Sequence, residues 1–147
     1  MYEIAIGDNA NFEAIPVGIT YSCVEGSTIH DITRFQFRDL NHNVKIVHLS
    51  AGHCDICHAS LATKRGANFD VEMNQIIHNY TNLILSIREK TNASLTLYPL
   101  RDPKTYVPVC AKLRPLFPNY ESGVKQLNAY IKGWGRKLNF TTIAQGI

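Results

Sequence analysis

The chain is predicted to fold as a three-layer α/β/α domain with a mostly parallel sheet. Three observations carry this. Val44 to Asp55, VKIVHLSAGHCD, opens with four apolar residues in six and runs out into small and polar ones, as a buried parallel strand does at its carboxyl end. Short strand-like runs alternate with helical periodicity along the chain. At 147 residues with 45% hydrophobic and 18% charged side chains, the polymer is about one domain, 1–147, rich in sheet interior.

Tyr2 to Ile6 is a first strand ending at the turn Gly7-Asp8-Asn9. About eight residues separate it from the next apolar run, which leaves room for one or two helical turns at most. Pro16 to Val24 is β-branched and aromatic, hence a second strand, and Gly26-Ser27 breaks it. Ser27 or Thr28 caps a short helix over Ile29 to Leu40. After the turn Asn41-His42-Asn43 comes the central strand, and Ser50 to about Asn68 is expected to be a long loop.

The clearest helix starts at Phe69. Met73, Ile76, Ile77, Tyr80, Ile84 and Ile87 recur at three and four residues behind a capping Asn68. Ser94 to Leu100 is another buried strand. Arg101 to Pro118 holds four prolines and is expected to be an irregular excursion. Tyr120 to Trp134 is the last long helix, with Val124, Leu127, Ile131 and Trp134 on one stripe, and Phe140 to Ile147 is a candidate final strand.

Ligands of open α/β sheets sit at the carboxyl ends of strands, so the first address for a site is Ser50 to His58. There His53 is the histidine at the expected sheet end, beside Asp55, and such a pair would serve Ser50, Ser22 or Ser27 as a base. No nucleophile-elbow sequence is present. His48 alternates with Val47 and Leu49, which makes it a packed or hydrogen-bonded core residue.

Cys54-x-x-Cys57 is flanked by His53 and His58. Zinc needs four ligands, and a second pair is missing, so Cys23, His30 or Cys110 would have to join. A redox Cys-x-x-Cys opens a helix after a strand, whereas this one is read inside a loop. Turn residues with buried thiols are the expectation, and no cofactor.

Four cysteines in a chain able to build its own core are not a disulfide framework, which favours the cytoplasm or nucleus. No signal sequence or membrane span is visible, and the sequons at Asn79, Asn92 and Asn139 are read as chance. Charge is uneven. Residues 1–100 carry 7 Lys or Arg against 10 acidic side chains, but residues 101–147 carry 8 against 2. Arg101, Lys104, Lys112, Arg114, Lys125, Lys132, Arg136 and Lys137 are interleaved with Tyr98, Tyr106, Phe117, Tyr120, Tyr130, Trp134 and Phe140. Cations that neutralise phosphates, together with aromatics that stack on bases, point to RNA or single-stranded nucleic acid.

Ile4-Ala5-Ile6-Gly7-Asp8-Asn9 resembles the first block of the SGNH (GDSL-type) hydrolases, a flavodoxin-like fold, with Asn9 where that family has its nucleophilic serine. Gly26 resembles the oxyanion glycine of the second block, and Gly52-His53-Cys54-Asp55 the third, with Cys54 in place of the oxyanion asparagine. The helix from Phe69 and the strand ending Tyr98-Pro99-Leu100 also fit, while Asp102-Pro103-Lys104-Thr105 has no histidine for the Asp-x-x-His block. An amide cannot attack as a nucleophile, and a thiol is a poor oxyanion donor. The resemblance therefore implies a catalytically degenerate member. Degenerate members of this fold resemble RNA-binding domains of germ-plasm organiser proteins, and other relatives occur in retroelement or viral proteins.

Three readings follow: a non-catalytic RNA or single-stranded nucleic-acid binder, a structural or self-assembling protein-interaction module of viral or host origin, and an esterase or deacetylase with a displaced serine.

Overall fold

The computed structural model describes residues 1–8, 10–12, 18–102 and 119–134, together with the backbone of 140–142. The strands are β1 (Tyr2–Gly7), β2 (Thr20–Tyr21), β3 (Val44–Ser50), β4 (Ser94–Tyr98) and β5 (Phe140–Thr142). They form one sheet in the order β2-β1-β3-β4-β5, every pair parallel. This is the α/β architecture with a parallel sheet that the alternating pattern predicts.

Register explains which face each strand buries. Ile4 lies beside Val47 and Val47 beside Leu95, while Ile6, Leu49 and Leu97 form the next row. This face is apolar throughout and joins the main core. The intervening row, Ala5, His48 and Thr96, points to the opposite face.

Crossover handedness then places the connections. Parallel crossovers are right-handed, so a step from β1 outward to β2 passes over one face and the steps β2 to β3, β3 to β4 and β4 to β5, running the other way, pass over the other. Accordingly the helices α1 (Ile29–Phe35), α2 (His53–Lys64), α3 (Phe69–Lys90) and α4 (Tyr120–Trp134) all contribute to the cluster with Ile4, Val47 and Leu95. The opposite face has its own small cluster of Ala5, Phe12 and Tyr98, with Ile19 and Cys23 against it. Among the described residues that face has no helix. The direction reverses between β1 and β3, which makes their carboxyl ends the topological switch point.

The starts of α1 and α3 follow the sequence closely. Thr28 caps α1 in a full capping box, its hydroxyl accepting from the Asp31 N–H while the Asp31 carboxylate accepts from the Thr28 N–H. Asn68 accepts from the Val71 N–H at the head of α3. His48 is a hydrogen-bonded core residue, held between the Tyr98 hydroxyl at 2.9 Å and the Glu3 carboxylate at 2.8 Å.

Several expectations fail. The short helix expected over Ile29 to Leu40 ends at Phe35, with Gln36 at its C-cap. The stretch from Ser50 to Asn68 is not a loop, because α2 occupies 12 of its residues. Packed against both α3 and α4, α2 buries His53, Cys54, Ile56, Cys57, Ala59 and Ser60, so its small apolar residues spread around the helix and no stripe is left to read. It also starts without a capping side chain, since Gly52 holds the N-cap position in a left-handed conformation. The second strand is shorter than Pro16 to Val24. Only Thr20 and Tyr21 pair as strand, although the Ser22 and Val24 N–H groups still donate to β1 carbonyls. Residues 16 and 17 of that run, the excursion 103–118 and the tail after Thr142 lie outside the described residues.

Candidate functional site

The switch point brings Gly7-Asp8 and Ser50 side by side, since Gly7 pairs in register with Ser50. Contact here is closer than any side chain allows: a Cβ on Gly7, whose φ is 125°, would fall 1.7 Å from the Ser50 carbonyl oxygen. The Asp8 N–H donates to that carbonyl at 2.9 Å. The side chains then meet as well, the Ser50 hydroxyl donating to Asp8 Oδ1 at 2.9 Å while accepting from the Asn11 N–H at 3.1 Å.

Asp8, Asn11 and Ser50 are all buried, and among the described residues Asp8 Oδ2 and Asn11 Nδ2 have no hydrogen-bond partner. Burial raises the Asp8 carboxyl to about 7 against the lowering effect of Ser50 and Ala10, and the negative charge of Asp55 adds to the rise. At neutral pH this carboxyl is therefore divided between its two forms.

Gln36 locks the rim. Its side-chain oxygen accepts from the Gly7 N–H at 2.7 Å, and its Nε2 donates both to the Gly7 carbonyl and to Ser27 Oγ at 3.0 Å. Ser27 in turn donates to the Val24 carbonyl at 2.8 Å. Across the site Asn128 of α4 makes a matching clamp, accepting from the Leu100 N–H at 2.7 Å and donating to the Leu100 carbonyl at 2.9 Å. Sequence reasoning missed both amides; Gln36 sits on the apolar spacing of α1 and Asn128 beside the stripe of α4, and a buried amide in such a place is their only signal. Gln36→Met keeps the volume but orphans the Gly7 N–H. It is expected to cost about 1–3 kcal/mol in urea unfolding, and an unchanged midpoint would refute the clamp.

The third corner is the head of α2. Gly52, at φ 108°, lets the chain turn from β3 into the helix against Leu127, which a Cβ would meet at 2.3 Å. His53 Nδ1 lies 2.8 Å from the Tyr120 hydroxyl, with the two rings edge to face. Burial lowers the His53 imidazole to about 4, so it is neutral at physiological pH. Asp55 does not orient His53. Two residues apart on a helix, the side chains face different ways, and both Asp55 oxygens instead accept from the Ile29 N–H at 3.1 and 3.3 Å, at the head of α1. Burial raises the Asp55 carboxyl to about 6.

The sequence candidates are thus only partly assembled. Ser50, Asp8 and Asn11 meet, as do Ser27 and Gln36, and His53 meets Tyr120. Among the described residues neither Ser27 nor Ser50 is hydrogen-bonded to a histidine. Gly26 takes φ 84° with open space where a side chain would stand, on the wall of a cavity of about 290 Å³ that Ser27, Asp31 and Gln36 also line. Asn9 lies outside the described residues. Cys54 is buried in the first turn of α2. His53, Cys54, Cys57 and His58 all lie on that helix, and among the described residues no three His, Cys, Asp or Glu are placed to hold a metal ion.

Of the basic residues, Lys125 and Lys132 are exposed on α4, Lys125 pairing with Glu121 at 3.5 Å, and Arg101 is half-buried. Lys104, Lys112, Arg114, Arg136 and Lys137 lie outside the described residues, as do Tyr106 and Phe117. The interleaved aromatics that can be placed do not form a stacking surface. Tyr98 packs edge to face on Phe12, and Tyr130 lies between Tyr80 and Trp134 against the main core. No helix among the described residues is long and apolar enough to cross a membrane.

Solved structures with a similar fold exist. An extracellular lipase from Streptomyces rimosus superposes with a TM-score of 0.62 at 12% identity, over 95% of this chain and 78% of the lipase. A phospholipase A1 from Streptomyces albidoflavus gives a TM-score of 0.61 at 14% identity, over 95% of this chain and 77% of that enzyme. The fold is SGNH-hydrolase-like. At these identities the likeness is one of fold. No family model matches the sequence, and no curated protein does.

Proposed function

We propose that this chain is a non-catalytic binding domain on an SGNH-like fold, and that its basic last third contacts RNA or single-stranded nucleic acid. The observation that carries the first half is the engagement of the polar groups at the switch point: Ser50 bonds with Asp8 and Asn11, and His53 with Tyr120. Asn9 and Cys54 stand where the resemblance calls for a nucleophile and an oxyanion donor. The second half rests on charge, 8 Lys or Arg against 2 acidic residues over 101–147.

Fluorescence anisotropy with labelled single-stranded RNA and duplex DNA tests it at about 50 and 200 mM salt. A site using about four phosphates loses roughly fifty-fold in affinity across that range. Alanine at Arg114, Lys132, Arg136 and Lys137 together is expected to abolish the salt-sensitive binding. No binding at low salt, or an unchanged affinity in the variant, refutes the nucleic-acid reading.

One observation favours a second reading, an esterase with a displaced serine: the similar solved structures are a lipase and a phospholipase A1. Turnover of p-nitrophenyl acetate and butyrate that disappears in His53→Ala supports it. Absence of turnover by the wild-type protein removes it.

A further inference from the structure

We infer that the cavity between the end of β2 and α1 is a docking recess for an arginine side chain of a partner protein. Its described walls come from two short stretches. Val24, Glu25 and Gly26 follow β2, while Asp31 and Phe35 belong to α1. No described wall residue comes from β3 or α2, so the recess lies beside the switch point and apart from Ser50 and His53. Its buried end is preformed. Ser27 and Gln36 are bonded to each other there, and Gln36 is fastened through both ends of its amide to Gly7, so binding does not have to build the recess.

The lining selects a cation on an apolar stem. Glu25 and Asp31 both line the recess, and among the described residues neither carboxylate is in an ion pair. Asp31 Oδ2 accepts from the Thr28 N–H at 3.1 Å, and its bonds to Thr28 hold the carboxyl below the usual carboxylate range, so it is charged at neutral pH. The guanidinium of Arg34, on the same helix, lies over the Phe35 ring, 5.3 Å from its centroid. Phosphates would meet two negative charges here, which sets this surface apart from a nucleic-acid face.

Val24 and Phe35 supply the apolar part. They are 58% and 67% exposed. A free small cation would leave both in water, whereas a protein segment covers them around its inserted side chain. Arginine fits better than lysine, because its methylenes lie along apolar surface while its planar fork of donors serves two carboxylates at once. A volume of about 290 Å³ is at the lower end for ligand pockets, enough for one long side chain and too small for a cofactor.

Amide NMR titration of the full chain reads the recess residue by residue. The probes are acetyl-Leu-Arg-Leu-amide, the same peptide with citrulline in place of arginine, and propylguanidinium. The arginine peptide is expected to shift Val24 to Ser27 and Asp31 to Gln36 with a Kd on the order of 1 mM. Citrulline keeps the shape and removes the charge, and is expected to bind about tenfold more weakly, as two exposed ion pairs are lost. Propylguanidinium keeps the charge but leaves Val24 and Phe35 uncovered, for a similar loss of about tenfold. Glu25→Gln is expected to weaken the arginine peptide about threefold, and Phe35→Ala about fivefold. Both side chains are exposed, so neither substitution disturbs the fold. Equal binding of the arginine and citrulline peptides overturns the proposal, as do shifts confined to other residues or an unchanged affinity in Glu25→Gln. Propylguanidinium binding as tightly as the peptide would make this a small-cation site and also overturn it. So would shifts of the same resonances on concentrating the protein alone, which would make a second copy the occupant.

Discussion

Raising the pH from about 4 to about 6 lowers the stability of this protein, and Asp8→Asn flattens the decline. Three buried groups set the sign. The Asp8 carboxyl is raised to about 7 and that of Asp55 to about 6, so the native state keeps protons that the unfolded chain releases above about pH 4, and stability falls as pH rises. His53, lowered to about 4, works the other way: its native form is neutral, and its contribution is complete above about 6.5 and lost as pH drops toward 4. Between about pH 4 and 6 two carboxyls oppose one imidazole. The net is one proton, or at most about 1.4 kcal/mol per pH unit of declining stability. Asp8→Asn leaves one carboxyl against one imidazole and a level profile. It also relieves the buried charge at neutral pH, for a gain of roughly 2–4 kcal/mol, reduced by whatever its own unpaired N–H costs. Urea midpoints of both proteins across this range are the measurement. Parallel profiles would show that Asp8 is not the group that titrates.

Gly7→Ala is expected to be the most damaging single substitution at the site. Its methyl would sit 1.7 Å from the Ser50 carbonyl oxygen, and both partners are backbone of paired central strands, so neither yields without breaking the β1–β3 ladder. The positive φ adds its own strain. The combined loss is above about 4–5 kcal/mol, the extreme of the range for point changes. Gly66→Ala is the control. At φ 105° with open space around it, it bears the backbone term alone, about 1–2 kcal/mol. Chemical denaturation of the two variants separates them. Equal losses would mean that the close approach at Gly7 relaxes at little cost.

Both predictions concern residues whose importance the sequence shows only in part. Gly7-Asp8 was legible as a turn and as a family-like block, yet the turn sequence alone says nothing of Ser50, 42 residues on, as the partner of Asp8. Gln36 and Asn128 were invisible as clamps for the same reason: their hydrogen bonds run to Gly7 and Leu100, 29 and 28 residues away. His53 and Asp55 were read as a pair because they are close in sequence. The helix separates their side chains, giving one to Tyr120 and the other to the head of α1.

What the sequence determined by itself is everything governed by local periodicity and capping. Phe69 to Lys90, with its stripe and its Asn68 cap, and Tyr120 to Trp134 are helices in the structure as the sequence predicts, and the apolar runs before Gly7, Ser50 and Pro99 are parallel strands. Tertiary structure alone decided α2, because a helix buried against two others carries no amphipathic stripe and a glycine N-cap gives no start signal. It likewise decided that Asp8 and Asn11 meet Ser50 at the switch point. Which polar group meets which at the end of a parallel sheet depends on crossover direction and strand register, and these are settled only when segments far apart in the chain pack together.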